Sequence, residues 1–141
     1  MAGLNPADMD NLEKRIQELK NGISDISEER WRAALSRDEN AVVRARINAS
    51  EKTLENCDAI ASYLNYFSPP LSNEIRMRGR NAKASLDQIK RTANAQEIHN
   101  WIKAELIPST KISERLAHLA ASSIRKAQGE DLEFHKWSPR T

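Results

Sequence analysis

Cysteine occurs once in these 141 residues, glycine four times and proline five times, and aromatic residues make up only 5%. Each shortage excludes something. A single cysteine, Cys57, cannot close an internal disulfide or supply the two or more thiolates of a structural zinc site. So few glycines and prolines argue against a turn-rich β protein. With 30% charged and 39% apolar residues, they favour a helical one. Low aromatic content leaves the core to Leu, Ile, Ala and Val. No run approaches the ~18–20 apolar residues of a membrane span, so a membrane is not an expected partner. The opening Met1-Ala2-Gly3-Leu4-Asn5-Pro6 has no basic stretch leading into an apolar one, and Gly3 does not directly follow Met1. Neither a secretory signal nor N-myristoylation is expected, which points to the cytoplasm or nucleus.

Catalytic signatures are also missing. The four glycines are isolated, so no phosphate-cradling glycine loop exists. There is no His-Glu-x-x-His and no Glu-x-x-His. His99, His118 and His135 each fall on a different expected element, without a second ligand at metal spacing. Glu114 and His118, four apart, read as an exposed helix pair. Cys57 reads as a small buried hydrophobe. Asn48-Ala49-Ser50 matches a glycosylation acceptor but falls mid-helix and is discounted. No catalytic residue, metal or cofactor is expected, and the chain reads as non-enzymatic.

What the sequence does contain is helical periodicity. From Val43 to Leu64, small and apolar residues step 4-3-4-3-4-3: Val43, Ile47, Ser50, Leu54, Cys57, Ala61, Leu64. This spacing puts all seven on one stripe that another helix must cover. Pro69-Pro70 follow at once, and Leu71, Ile75, Ala82, Leu86 and Ile89 give the returning helix a matching side. A helical hairpin of about 37–67 and 69–91 is the expected spine. Gly79 inside its second arm marks either a kink or a close approach of another backbone.

The remaining elements follow from caps and breakers. Asn5-Pro6 opens a helix over 6–21, with Met9, Leu12, Ile16 and Leu19 inward and Gly22 as its stop. A short helix follows Ser27, carrying Trp31, Ala34 and Leu35, and a bend is expected near Ser36–Asn40. There, Ser36-Arg37-Asp38-Glu39 has capping-box spacing. Asn94 caps a helix over about 95–107, Pro108 breaks or kinks it, and a last helix runs to Ala127 with Gly129 ending it. Ile112, Leu116, Leu119 and Ser123 form that helix's expected inner rhythm. The expected fold is an all-α antiparallel bundle of about five helices in one domain, 1–129, with an ordered or docking C-terminal tail, 130–141.

Charge is uneven. Residues 1–74 hold 9 Lys/Arg against 13 Asp/Glu, and residues 75–141 hold 13 against 7. Such asymmetry can drive head-to-tail association of copies, or present one face to an anionic partner. Arg76, Arg78, Arg80, Lys83, Lys90 and Arg91 lie within 16 residues, opposed only by Asp87. Of these, Arg76, Arg80, Lys83 and Lys90 share a helix face. With Arg91, they are candidate nucleic-acid contacts. The same stripe can equally face the acidic half of the chain. Tyr66 and Phe67 end the long helix, and Phe134 and Trp137 sit in the tail. All four are candidate protein contacts. The expected function is a non-enzymatic helical module for protein–protein interaction or self-assembly. The alternative is a nucleic-acid-binding coat, packaging or accessory protein.

Overall fold

A computed structural model describes residues 4–23 and 25–137, the last eight of these as helical backbone alone. Helix α1, Pro6–Asn21, begins as its sequence requires: Asn5 Oδ1 accepts the Asp8 N–H at 2.8 Å and Pro6 occupies the first turn. Met9, Leu12, Ile16 and Leu19 are all buried. Gly22 ends the helix with φ −67°, so no left-handed turn requires the glycine. Space does: a Cβ at Gly22 would lie 2.5 Å from Thr53 Oγ1, where the second helix passes.

Helix α2, Glu28–Leu64, is capped by Ser27, whose hydroxyl accepts the Arg30 N–H at 3.3 Å. Its backbone leaves helical geometry at Asp38, φ −160° and ψ 94°, inside the stretch where a bend is expected. The cap at this kink differs from expectation. Ser36 is still helical, and its hydroxyl donates back to Ala33 O at 2.7 Å. Asp38 is the extended residue, and its Oδ1 accepts the Ala41 N–H at 3.1 Å. Only a residue with extended backbone aims its side chain at the amides that follow it. The helix ends at Leu64, three residues before the expected Phe67, and Leu64 O receives the N–H groups of both Phe67 and Ser68. Ser68 then caps α3, Pro69–Ile89, accepting the Leu71 N–H at 3.3 Å.

Of the break or kink expected at Pro108, the break does not occur. Helix α4, Ala95–Trp101, passes into a π-helical turn, Ile102–Leu106, and on into α5, Ile107–Trp137. Proline lacks an N–H, and its ring crowds the carbonyl four residues earlier, here Ala104. The wider π turn contains that residue and relieves the crowding without ending the helix. Gly129 does not stop α5 either, since the helical backbone runs on through the expected tail to Trp137. The described residues are all-helical and contain no strand. They make four helical runs, the second of them kinked at Asp38, where about five helices were expected.

The core forms two clusters. One joins Met9, Leu12, Ile16 and Leu19 of α1 to Cys57, Ile60, Ala61 and Leu64 of α2, Ile75 of α3, and Ala117, Ala120, Ala121 and Ile124 of α5. The other joins Leu54, Ala82 and Leu86 to Ile98, Trp101, Ile102, Leu106 and Ile107, with Val43, Ile47 and Ile89 packed against it. The 43–64 ladder is thus shared between both. Ser72 Oγ of α3 donates to Ala61 O at 2.5 Å. A Cβ on Gly79 would lie only 2.9 Å from Cys57 Cβ. Of its two expected roles, Gly79 serves close approach.

Helix α5 reverses one expectation. Ser113, Ala117, Ala120, Ala121 and Ile124 face inward, while Ile112 is 42% and Leu119 58% exposed. Ser123 is exposed too, and only Leu116 is half-buried. Small side chains let α5 lie close to its neighbours. Polar contacts to α1 and to the residues before it hold that rotation: Arg125 Nη2 donates to Asp10 at 2.9 Å and to Glu13 of α1, and Gln128 Nε2 donates to Leu4 O at 3.2 Å.

Candidate interaction surfaces

Three surfaces and one buried cluster carry the chain's distinctive chemistry. The first surface is the basic stripe on α3, which lies along acids of α2. Arg76 Nε and Arg80 Nε are each 3.8 Å from Asp58. Lys83 is 3.5 Å and Lys90 3.2 Å from Glu51, and both also bond Asp87, at 2.8 and 3.2 Å. Arg76 Nη2 also reaches Ser62 Oγ at 3.4 Å. These bonds, from Lys83 first and then Lys90, hold the Asp87 carboxyl below its ordinary pKa, and the bond to Asp87 raises the Lys83 ammonium. A cation so paired must leave a carboxylate before it meets a phosphate. Arg91 is the exception: it is exposed and makes no ion pair among the described residues.

The second surface is the end of α2. Tyr66 is 73% and Phe67 41% exposed, while neighbouring Tyr63 and Leu71 pack against the core. The other two aromatic candidates, Phe134 and Trp137, lie outside the residues whose side chains are described.

The third surface was not singled out from the sequence. Ile112 and Leu119 stand seven residues apart on the outer side of α5, with half-buried Leu116 between them. Two stripes compete on this helix: 112-116-119-123 has the larger side chains, and 113-117-120/121-124 the smaller. Size alone favours burying the first. The signal that tells otherwise is Arg125, one residue past Ile124, which must reach the α1 acids. The flank of this face toward α1 carries Lys111 and Arg115, neither with an ion pair among the described residues.

The buried cluster ties the part of α2 before its kink at Asp38 to α4. The Trp31 and His99 rings stack with centroids 4.5 Å apart and planes 7° from parallel. His99 is fully buried, and its Nε2 lies 3.1 Å from Glu28 Oε1. A carboxylate only accepts, so the imidazole nitrogen donates. Lys103 Nζ lies 3.8 Å from Asp25 and 3.9 Å from Glu28. Trp31 Nε1 and His99 Nδ1 have no hydrogen-bond partner among the described residues. The spacing from Glu28 to His99 is 71 residues, too long for any local motif to announce the cluster.

Burial and then the charge of Asp58 push the Cys57 thiol up to about 11, so it stays a neutral packing group. Among the described residues, no group of three or more His, Cys, Asp and Glu has metal-binding geometry, and no helix is long and apolar enough to cross a membrane. The chain matches no protein-family model, no curated protein and no solved structure, so its own surfaces must carry the functional reading.

Proposed function

We propose that this chain is a non-enzymatic helical interaction module. Its spine is read as an antiparallel hairpin of α2 and α3, which presents the outer face of α5 to another helix. Hairpin contacts that support this run from Ala61–Ser72 through Cys57–Gly79 to Glu51–Lys90, with α2 numbers falling as α3 numbers rise. The observation that carries the functional reading is the pair Ile112 and Leu119, large apolar groups left in water at heptad spacing. A single exposed leucine is ordinary, but two on one helical stripe form a seam. The test is binding of a synthetic amphipathic helix with leucine at heptad positions and glutamine flanks, followed by fluorescence anisotropy. Binding lost in the Ile112→Ser/Leu119→Ser variant supports the reading. No binding, together with a strictly monomeric chain, overturns it.

A second reading is nucleic-acid binding by the stripe Arg76, Arg80, Lys83, Lys90 and Arg91. The unpaired Arg91 favours it, as do Arg30, Arg32, Arg37 and Arg44 on α2, all exposed without ion pairs among the described residues. Changing Arg76, Arg80 and Lys83 together to Gln tests the stripe. Gln is preferred to Glu because reversal would set carboxylates against Glu51 and Asp58. Retention on DNA or RNA that falls with helicity intact supports the stripe. Unchanged retention removes it.

A further inference from the structure

We propose that the outer face of α5 takes an acidic amphipathic helix from a different protein. This deepens, and rests on, the reading of that face as a binding surface. Ile112, Leu116 and Leu119 lie along one stripe, so a partner helix can meet all three while lying along α5. What it must carry beside its apolar residues is set by the flank. Lys111 and Arg115 join Lys20 of α1 around a groove of about 480 Å³, floored by Leu19 and Ile107, with Glu114 the one acid in its lining. None of the three cations has an ion pair among the described residues. Elsewhere, Arg15, Arg76, Arg78, Arg80, Lys83, Lys90, Lys103 and Arg125 lie beside carboxylates of their own chain, while Lys14, Arg30, Arg32, Arg37, Arg44, Lys52, Arg91 and Lys126 have no ion pair among the described residues. What sets the groove apart is that its unpaired cations flank exposed apolar side chains, so a docking helix can supply leucines and carboxylates together.

The same inventory disfavours a second copy as the occupant. The exposed large apolar side chains among the described residues are Tyr66, Phe67, Met77, Ile112 and Leu119. Only α5 offers two of them on one stripe. Among the described residues, a second copy therefore offers two large apolar groups on one stripe only at its own Ile112 and Leu119. Pairing there brings Lys111 and Arg115 of both copies to one seam, where like charges repel.

Three synthetic helices with the same leucine seam, flanked by Glu, by Gln or by Lys, test the proposal in anisotropy titrations of the full chain. The Glu helix should bind about tenfold more tightly than the Gln helix, as a few exposed ion pairs allow. The Lys helix should bind weakest, and the differences should shrink in high salt. Lys111→Glu/Arg115→Glu should invert the order, while circular dichroism shows the fold intact. Equal binding of all three helices, abolished by Ile112→Ser/Leu119→Ser, keeps the surface and overturns the acidic partner. A doubled native mass that depends on Leu119 assigns the face to a second copy and overturns it too. So does co-sedimentation with phosphatidylglycerol vesicles without binding of the Glu helix. Failure of all three helices with a monomeric chain removes the proposal and the surface reading together.

Discussion

Gly79 and Gly129 both sit inside helices, and the same substitution should move them in opposite directions. Alanine is worth up to about 1 kcal/mol over glycine in a helix interior. At Gly129 nothing lies within 4 Å of an added Cβ, so Gly129→Ala should raise stability by up to that amount. At Gly79 the added carbon would meet Cys57 Cβ at 2.9 Å, and neither atom belongs to a flexible side-chain end. The overpacking cost of about 1–3 kcal/mol should exceed the propensity gain, so Gly79→Ala should lower the urea midpoint. The sequence poses both roles for Gly79 but cannot choose, because the choice depends on a residue 22 positions away on another helix. Cys57 itself carries a pH signature. Its thiol titrates at about 11 in the fold against 9.0 as a free group, so the native state keeps a proton that the unfolded chain releases earlier. That stabilisation, about 2–3 kcal/mol by linkage, is complete below pH 9 and lost as pH rises toward 11. Urea midpoints should therefore fall more steeply across this window in the native chain than in Cys57→Ala. Parallel slopes would show that the thiol does not titrate as described.

Elements were legible where a local chemical signal ends them. Asn5-Pro6, Ser27, Ser68-Pro69 and Asn94 all start helices where their capping chemistry requires. The failures share a physical cause: each depends on what lies across the fold. Pro108 is a breaker by local rules, yet α5 continues, because the π turn before it absorbs the crowding while Ile102, Leu106 and Ile107 stay locked in the core. The rotation of α5 was misread because side-chain size and close approach compete, and only the α1 acids bound by Arg125 show which prevails. At the α2 kink, the local pattern chose the wrong cap within a correct bend. This separates two substitutions that the sequence alone ranks the other way. Asp38→Ala removes the side-chain acceptor of the Ala41 N–H and should cost about 1 kcal/mol, as a lost N-cap does. Ser36→Ala removes only a bond back to Ala33 O in an exposed turn, and should change stability by less than about 0.5 kcal/mol. Thermal unfolding of the two variants in parallel decides between Asp38 and Ser36 as the cap.

Over the whole molecule, the charge asymmetry between the two halves of the chain suggested copies joining head to tail. The fold spends much of that asymmetry internally. Glu51 and Asp58 of the acidic half face Arg76, Arg80, Lys83 and Lys90 of the basic half, and Asp10 and Glu13 face Arg125. Sequence gives the sign of each half but not which helices will lie side by side, so it cannot show how little of the imbalance is left for a neighbour. The cations that remain unpaired on α5 repel their counterparts on another copy. In the acidic half, Asp8, Glu29, Asp38, Glu39 and Glu55 are outside ion pairs among the described residues, but so are Lys14, Lys20, Arg30, Arg32, Arg37, Arg44 and Lys52, so that half offers those cations no net negative face. Light scattering should therefore return the single-chain mass of 16.0 kDa at low salt as well as high. Added salt should weaken the α2–α3 ion pairs by a few degrees of melting temperature at most, because exposed pairs contribute little. Mass and melting temperature thus separate two uses of the same charges. If the charges join copies, the mass falls toward 16.0 kDa as salt rises. If they join helices of one copy, the melting temperature moves slightly and the mass does not.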